Sequence, residues 1–289
     1  MTVFNFATIS ADAALAIQQT DSLSFSGGPA RLATVVFNPG AGEPETITVT
    51  VGGQAVTFGA ALATLSLHGG ATFGDGSALM VGTSGDDHVE TLAMNSAMFG
   101  GAGADFLFAL RGDNVLQGNQ GDDTVVAGFG SDTLFGGQGN DIIAADSPDD
   151  DGFIPPGVDP HAPHHDFAQG NLGNDTVLGG IGSDILLGGK GDDRIEGREG
   201  DDLLSGDLGD DTLQGGAGAD TFHAVANGST DRILDFHVAE GDRVQVDPGT
   251  QFQVTQMGAD TVIALAGGGQ MVLVDVSMAS LQGDWIFGA

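Results

Sequence analysis

The chain has 289 residues, no cysteine, and 40 acidic against 7 basic residues, for a formal charge of −33. So negative a chain repels phosphate, which argues against nucleic acid and anionic membrane surfaces as partners. The absence of cysteine excludes a disulfide framework and any thiolate metal site. Of the 40 acids, 34 are Asp and only 6 are Glu. A generically acidic or halophilic surface does not explain that bias, whereas short carboxylates set in tight turns do.

At the N-terminus, Met1 to Ser10 has no basic region and no long apolar core, so no Sec-type signal peptide is expected there. No stretch approaches the roughly 18 apolar residues of a membrane span, and no membrane insertion is expected. Residues 1–81 read as a small β-rich cap or assembly domain. Val3–Phe6, Leu32–Phe37, Thr46–Val51 and Gln54–Phe58 are short β-branched or aromatic runs. The segment from Pro39 to Gly42 and the pair Gly52-Gly53 punctuate them, and the pair suits a two-residue hairpin turn. Ser10 is placed to cap a short helix running from Ala11 to Gln18.

Residues 82–223 repeat every nine residues. The copy Gly136-Gly137-Gln138-Gly139-Asn140-Asp141-Ile142-Ile143-Ala144 shows the pattern G-G-x-G-x-D-x-U-x, with U apolar. Its sixth position sets the register. Asp87, Asp105, Asp123 and Asp141 are 18 residues apart, and so are Asp175, Asp193 and Asp211. A second series runs Asp132, Asp166, Asp184, Asp202 and Asp220, preceded by Ser96 and Asn114 where Asp would stand. Two nonapeptides therefore make one 18-residue coil with a turn on each side, and each series lines one edge. Both series jump by 34 residues in the middle, as a single insertion of 16 residues within 145–169 would produce. The expectation is one all-β parallel β-roll of about 14 nonapeptides, with a loop near 147–165; two separate rolls are the alternative.

Beyond His223 the period stops. Asp231–Phe236 and Asp242–Asp247 lead to strand-like runs at Phe252–Gln256, Thr261–Ala266 and Gln270–Val276. Residues 224–289 are thus expected to form a C-terminal β-cap over the apolar face of the last coil.

The chemistry of one repeat follows from its residues. Glycines at positions one, two and four open backbone angles closed to other residues, so carbonyls can turn inward. The aspartate adds a carboxylate oxygen, and neighbouring turns then offer an all-oxygen shell that suits calcium over magnesium or a transition metal. Val125, Leu134, Ile143, Val177, Ile195 and Leu213 fill position eight and point into a narrow core built from strands of about three residues. The count of adjacent aspartates predicts on the order of ten calcium ions, each bound at ~10⁻⁴–10⁻³ M.

The repeats resemble the RTX family of bacterial proteins, whose nonapeptide forms a calcium-binding β-roll. The likeness covers 82–223, and more loosely 224–289: Asp231–Phe236 with Gly241–Val246 resembles the segment that follows the family's repeats. Asp284 to Ala289 is similar to the uncleaved end of the family's type I secretion signal. The resemblance implies type I secretion machinery as a partner, an extracellular location, and folding outside the cell in millimolar calcium. Family enzymes attach a catalytic domain to the roll, but this chain has neither H-E-x-x-H nor G-x-S-x-G, and no long apolar helices of a pore-former. The expected function is a non-enzymatic structural protein of the cell surface or matrix, self-associating or binding a surface glycan or lipopolysaccharide. The rival is a small secreted hydrolase or metalloenzyme using His161, His164 and His165 of the loop segment 159–166, which could hold a transition metal. Asp149, Asp150 and Asp151 offer a further calcium site.

Overall fold

A computed structural model of the chain describes residues 2–18, 22–25, 30–38, 46–59, 61–62, 71–146, 164–226 and 229–288. Among them nearly all regular structure is strand. The chain divides into two compact units, Met1–Thr133 and Leu134–Ala289.

The first unit opens with a parallel sheet of Val3–Asn5, Ser22–Phe25 and Ala71–Phe73. Beside it in sequence, Thr34–Asn38, Thr46–Val51 and Gln54–Gly59 form an antiparallel meander. The tight turn falls at Gly52 and Gly53, with φ of 58° and 83°, and a two-residue turn of this hand needs both in the left-handed region. Thr46–Val51 alternates, so Ile47, Val49 and Val51 face inward. They pack with Phe6, Phe25, Phe58 and Phe73, and the Phe25 and Phe73 rings stack at 4.2 Å. Leu79, Val81, Ala97 and Phe99 belong to the same core, so this segment and the first coil share one apolar interior.

Two sequence expectations shift here. The helix capped by Ser10 ends at Leu15, short of Gln18, and the Gln18 side-chain amide donates to the Ala16 carbonyl at 3.0 Å. Leu32 lies in a short 3-10 turn that closes by Ala33 N–H donating to the Ala30 carbonyl, and the strand begins at Thr34.

The coils of the first unit follow as parallel ladders with an 18-residue step. Phe106 pairs with His88 and Thr124, and Ala97 pairs with Leu79 and Val115. The second unit repeats the arrangement: Ile185 pairs with Phe167 and Leu203, and Arg194 with Thr176 and Thr212. Ile142 pairs with Thr176, 34 residues on instead of 18, so the chain leaves and re-enters the ladder between them. Most of these strands run for six residues, as in Thr124–Phe129 and Leu203–Leu208, and not the three expected. The cause is that backbone pairing continues past the apolar triplet into the glycine turn. Every position-eight aliphatic from Leu107 to Leu213 has no exposed surface, so each repeat buries one such side chain.

The end of the second unit lengthens the ladders without the repeat. Thr230–Ile233 joins Gln270–Leu273, and Arg243–Val246 joins Ile286–Phe287. An antiparallel hairpin, Phe252–Met257 with Asp260–Leu265, pairs in turn with Gln270–Leu273. Phe222, Phe236 and Trp285 form a run of ring contacts at 5.9 and 6.3 Å. No helix among the described residues is long and apolar enough to cross a membrane.

Candidate metal centre

The three glycines of the repeat do different work. Position-four glycines such as Gly121 and Gly200 have φ of 120° and 136°, and a side chain on either would strike the carbonyl of the preceding coil. Position two also takes left-handed φ, but Asn119, Asn171, Arg198 and Asp207 adopt it there, at some strain. Position one does not need left-handed angles, which corrects the expectation for that glycine. It needs empty space. A Cβ on Gly197 would sit 2.2 Å from Asp202 Oδ2 and 2.4 Å from the Gly215 carbonyl. On Gly100 the same atom would sit 2.3 Å from Asp105 Oδ2 and 2.7 Å from the Gly118 carbonyl.

The position-six side chains stand in buried columns. One carboxylate oxygen accepts the backbone N–H of the aspartate one coil earlier, as Asp123 does from Asp105 at 2.8 Å and Asp202 from Asp184 at 2.8 Å. In the first unit this links Asp87, Asp105 and Asp123 along one edge, and Ser96, Asn114 and Asp132 along the other. In the second it links Asp141, Asp175, Asp193 and Asp211, and opposite them Asp166, Asp184, Asp202 and Asp220. The other oxygen is a different matter. Oδ2 of Asp105, Asp193, Asp202 and Asp220 is buried with no hydrogen-bond donor. Asp184 differs, its Oδ2 accepting Gly180 N–H, and Asp87 is half-exposed and bonded to Thr83.

A buried carboxylate oxygen with no donor is costly unless a cation meets it. The electrostatics agree. Burial, with neighbouring carboxylates adding to it, raises Asp105, Asp193 and Asp202 to about 7. Asp123 and Asp220 rise to about 6, again chiefly by burial. No group of three His, Cys, Asp or Glu side chains converges among the described residues. Any ion in these turns must therefore take most of its donors from backbone carbonyls, an oxygen set that fits calcium and not a thiolate- or imidazole-seeking metal.

Two sets of residues escaped the sequence reading. Asp231 and Asp242 extend the two columns, accepting N–H of Asp211 and Asp220, although the spacing changes to 20 and 22 residues. The surviving signal is an Asp-x-apolar triplet, with Ile233 and Val244 fully buried. The second set is at position five, where Asp86, Asn95, Asn174, Asp192 and Asp201 accept N–H from the coil that follows. Asp or Asn at most fifth positions, with Ala104, Ser131, His165, Ser183 and Ala219 as the exceptions, was the available clue.

Of the histidine loop, His161 and Asp149 to Asp151 lie outside the described residues. His164 Nδ1 stands 3.3 Å from Asp146, and His165 Nδ1 stands 3.0 Å from the Ser183 carbonyl. Elsewhere a serine, a histidine and an aspartate fall in line: Ser205 Oγ to His223 Nδ1 at 3.4 Å, and His223 Nε2 to Asp247 at 3.1 Å. Ser205 is only 2% exposed and gives its proton to Asp207 at 2.7 Å, so it presents no nucleophile to a substrate.

The family described as the RTX calcium-binding nonapeptide repeat matches residues 74–107, 81–116, 99–134, 108–143, 117–150, 163–195 and 196–224. No curated protein matches the chain. Among solved structures it is similar to the extracellular lipase LipA from Serratia marcescens, at 16% identity and a TM-score of 0.27, over 73% of this chain. The chain spans 40% of the length of that lipase, and so distant a likeness carries no inference about activity.

Proposed function

The chain carries the RTX calcium-binding nonapeptide repeat, and from that premise we propose that it is a secreted, non-enzymatic structural protein that folds and assembles on calcium. The observation carrying this reading is the set of buried, donorless Oδ2 atoms facing position-one glycines, at Asp105, Asp193, Asp202 and Asp220. The two aspartate edges would hold the ions, with Asp231 and Asp242 as the last members. Calcium, when bound, would supply the positive charge that these turns lack. Asp Oδ1 holds the register through the neighbouring N–H, the position-one glycine leaves space beside Oδ2, and turn carbonyls would supply the remaining oxygens.

The same chemistry fits export. In a low-calcium compartment the stacked carboxylates repel and the repeats stay open, ready to be threaded by type I secretion machinery; millimolar calcium outside then closes them. A place at the bacterial surface or matrix, with self-association or contact to a surface glycan or lipopolysaccharide, is the setting this reading favours for a roll built by stacking. Electron microscopy of the pure protein in 10 mM calcium and in excess EDTA tests this. Ordered layers or filaments in calcium that dissolve in EDTA are expected. A monodisperse monomer in both conditions would remove assembly from the proposal.

A further inference from the structure

We propose that the turn at Asn114 is a calcium-free turn in which the asparagine amide stands where the other turns hold the cation. The inference rests on the reading of the aspartate edges as calcium sites. Asn114 is 1% exposed and occupies position six of its repeat. Its Oδ1 accepts Ser96 N–H at 2.9 Å, the role Asp202 Oδ1 plays toward Asp184 at 2.8 Å. The two turns part at the second atom. Asp202 Oδ2 is buried with no donor. Asn114 Nδ2 is itself a donor with three acceptors: the Gly112 carbonyl at 2.6 Å, the Arg111 carbonyl at 3.1 Å and Asp132 Oδ1 at 3.0 Å.

The orientation of the amide is fixed by its surroundings. Reversing it would set an oxygen against two carbonyls and a carboxylate, and a nitrogen against the Ser96 N–H. The turn before it is satisfied in the same manner. Ser96 Oγ donates to the Ala93 carbonyl at 3.2 Å and accepts Ala78 N–H at 3.3 Å. Arg111, the only Lys or Arg between residues 32 and 189, lies three residues before Asn114 in the same turn. One edge of the first coils is thereby closed by the chain's own donors, while on the opposite edge Asp105 keeps a buried, donorless Oδ2 that would meet calcium. The first ions then bind coils already joined on one side, and less chain must be ordered at that step.

Two reciprocal variants of the full chain test this: Asn114→Asp and Asp202→Asn. The probe is calcium alone, counted by atomic emission after gel filtration in millimolar calcium, with circular dichroism as the check on folding. Asn114→Asp is expected to bind at least one more ion than wild type and to need more calcium to reach full β signal. Asp202→Asn is expected to stay folded in calcium and to bind at least one ion fewer. If Asn114→Asp folds with the wild-type count, or Asp202→Asn keeps its full complement, the inference is wrong. Should Asn114→Asp not fold, the Asp202→Asn count decides alone. A wild type that binds no calcium would overturn the underlying calcium reading, whereas a calcium-loaded wild type with unmoved variants overturns only this inference.

Discussion

Between Val3 and Phe73 the chain buries four phenylalanines, Phe6, Phe25, Phe58 and Phe73, whose rings meet one another in one apolar core. Between Ile185 and Phe222 it hides one large apolar side chain per repeat, with a carboxylate buried beside each. The first region obtains stability from apolar area, as any small domain does. The second buries charge that its own atoms do not neutralise, and so depends on something in the solution. The two regions should therefore respond differently to the same treatments.

Chelation should separate them most. In excess EDTA the amides of Leu203 and Thr212, bonded to the Asp184 and Asp193 carbonyls, are expected to lose hydrogen-exchange protection by orders of magnitude. The amides of the Thr46–Gly59 hairpin should keep theirs. Equal loss in both regions would break the comparison. Next in size, Phe58→Ala empties a fully buried site and should cost about 3–5 kcal/mol while leaving the calcium count unchanged. Denaturant unfolding together with atomic emission would show whether the two quantities are independent.

Smaller effects test the turn itself. Gly197→Ala places a methyl against Asp202 Oδ2 and should cost about 1–3 kcal/mol and weaken calcium binding. Gly74→Ala, where a Cβ meets nothing within 4 Å, should change neither. A matched loss in both would remove the cradle from the account. A further test is the effect of pH on the metal-free chain. Burial lifts Asp105, Asp193 and Asp202 to about 7, so the folded form holds protons that the unfolded form has released. Metal-free stability should then fall as pH rises from about 4 to 7 and level off above it, while calcium affinity rises across the upper part of that window. Calcium titrations at several pH values would show the proton release; an affinity flat from pH 5 to 8 would contradict it.

The sixth-position aspartates carried the 18-residue step and both edges in plain view, and the alternation in Thr46–Val51 marked its strand end to end. The reason for each glycine was not readable, because space at position one and angle at position four are written with the same letter. Asp231 and Asp242 were hidden by irregular spacing at the point where the repeat gives way to the cap. The contrast between Asn114 and Asp202 was half legible: the substitution is visible in sequence, but its three acceptors appear only once the turn carbonyls have positions.

The most direct measurement is a calcium titration of the full chain followed by far-ultraviolet circular dichroism, with a parallel titration by magnesium. A cooperative gain of β signal is expected between about 10⁻⁴ and 10⁻³ M calcium, reversed by EDTA, with no comparable gain in magnesium. A spectrum in EDTA identical to that in millimolar calcium would contradict it.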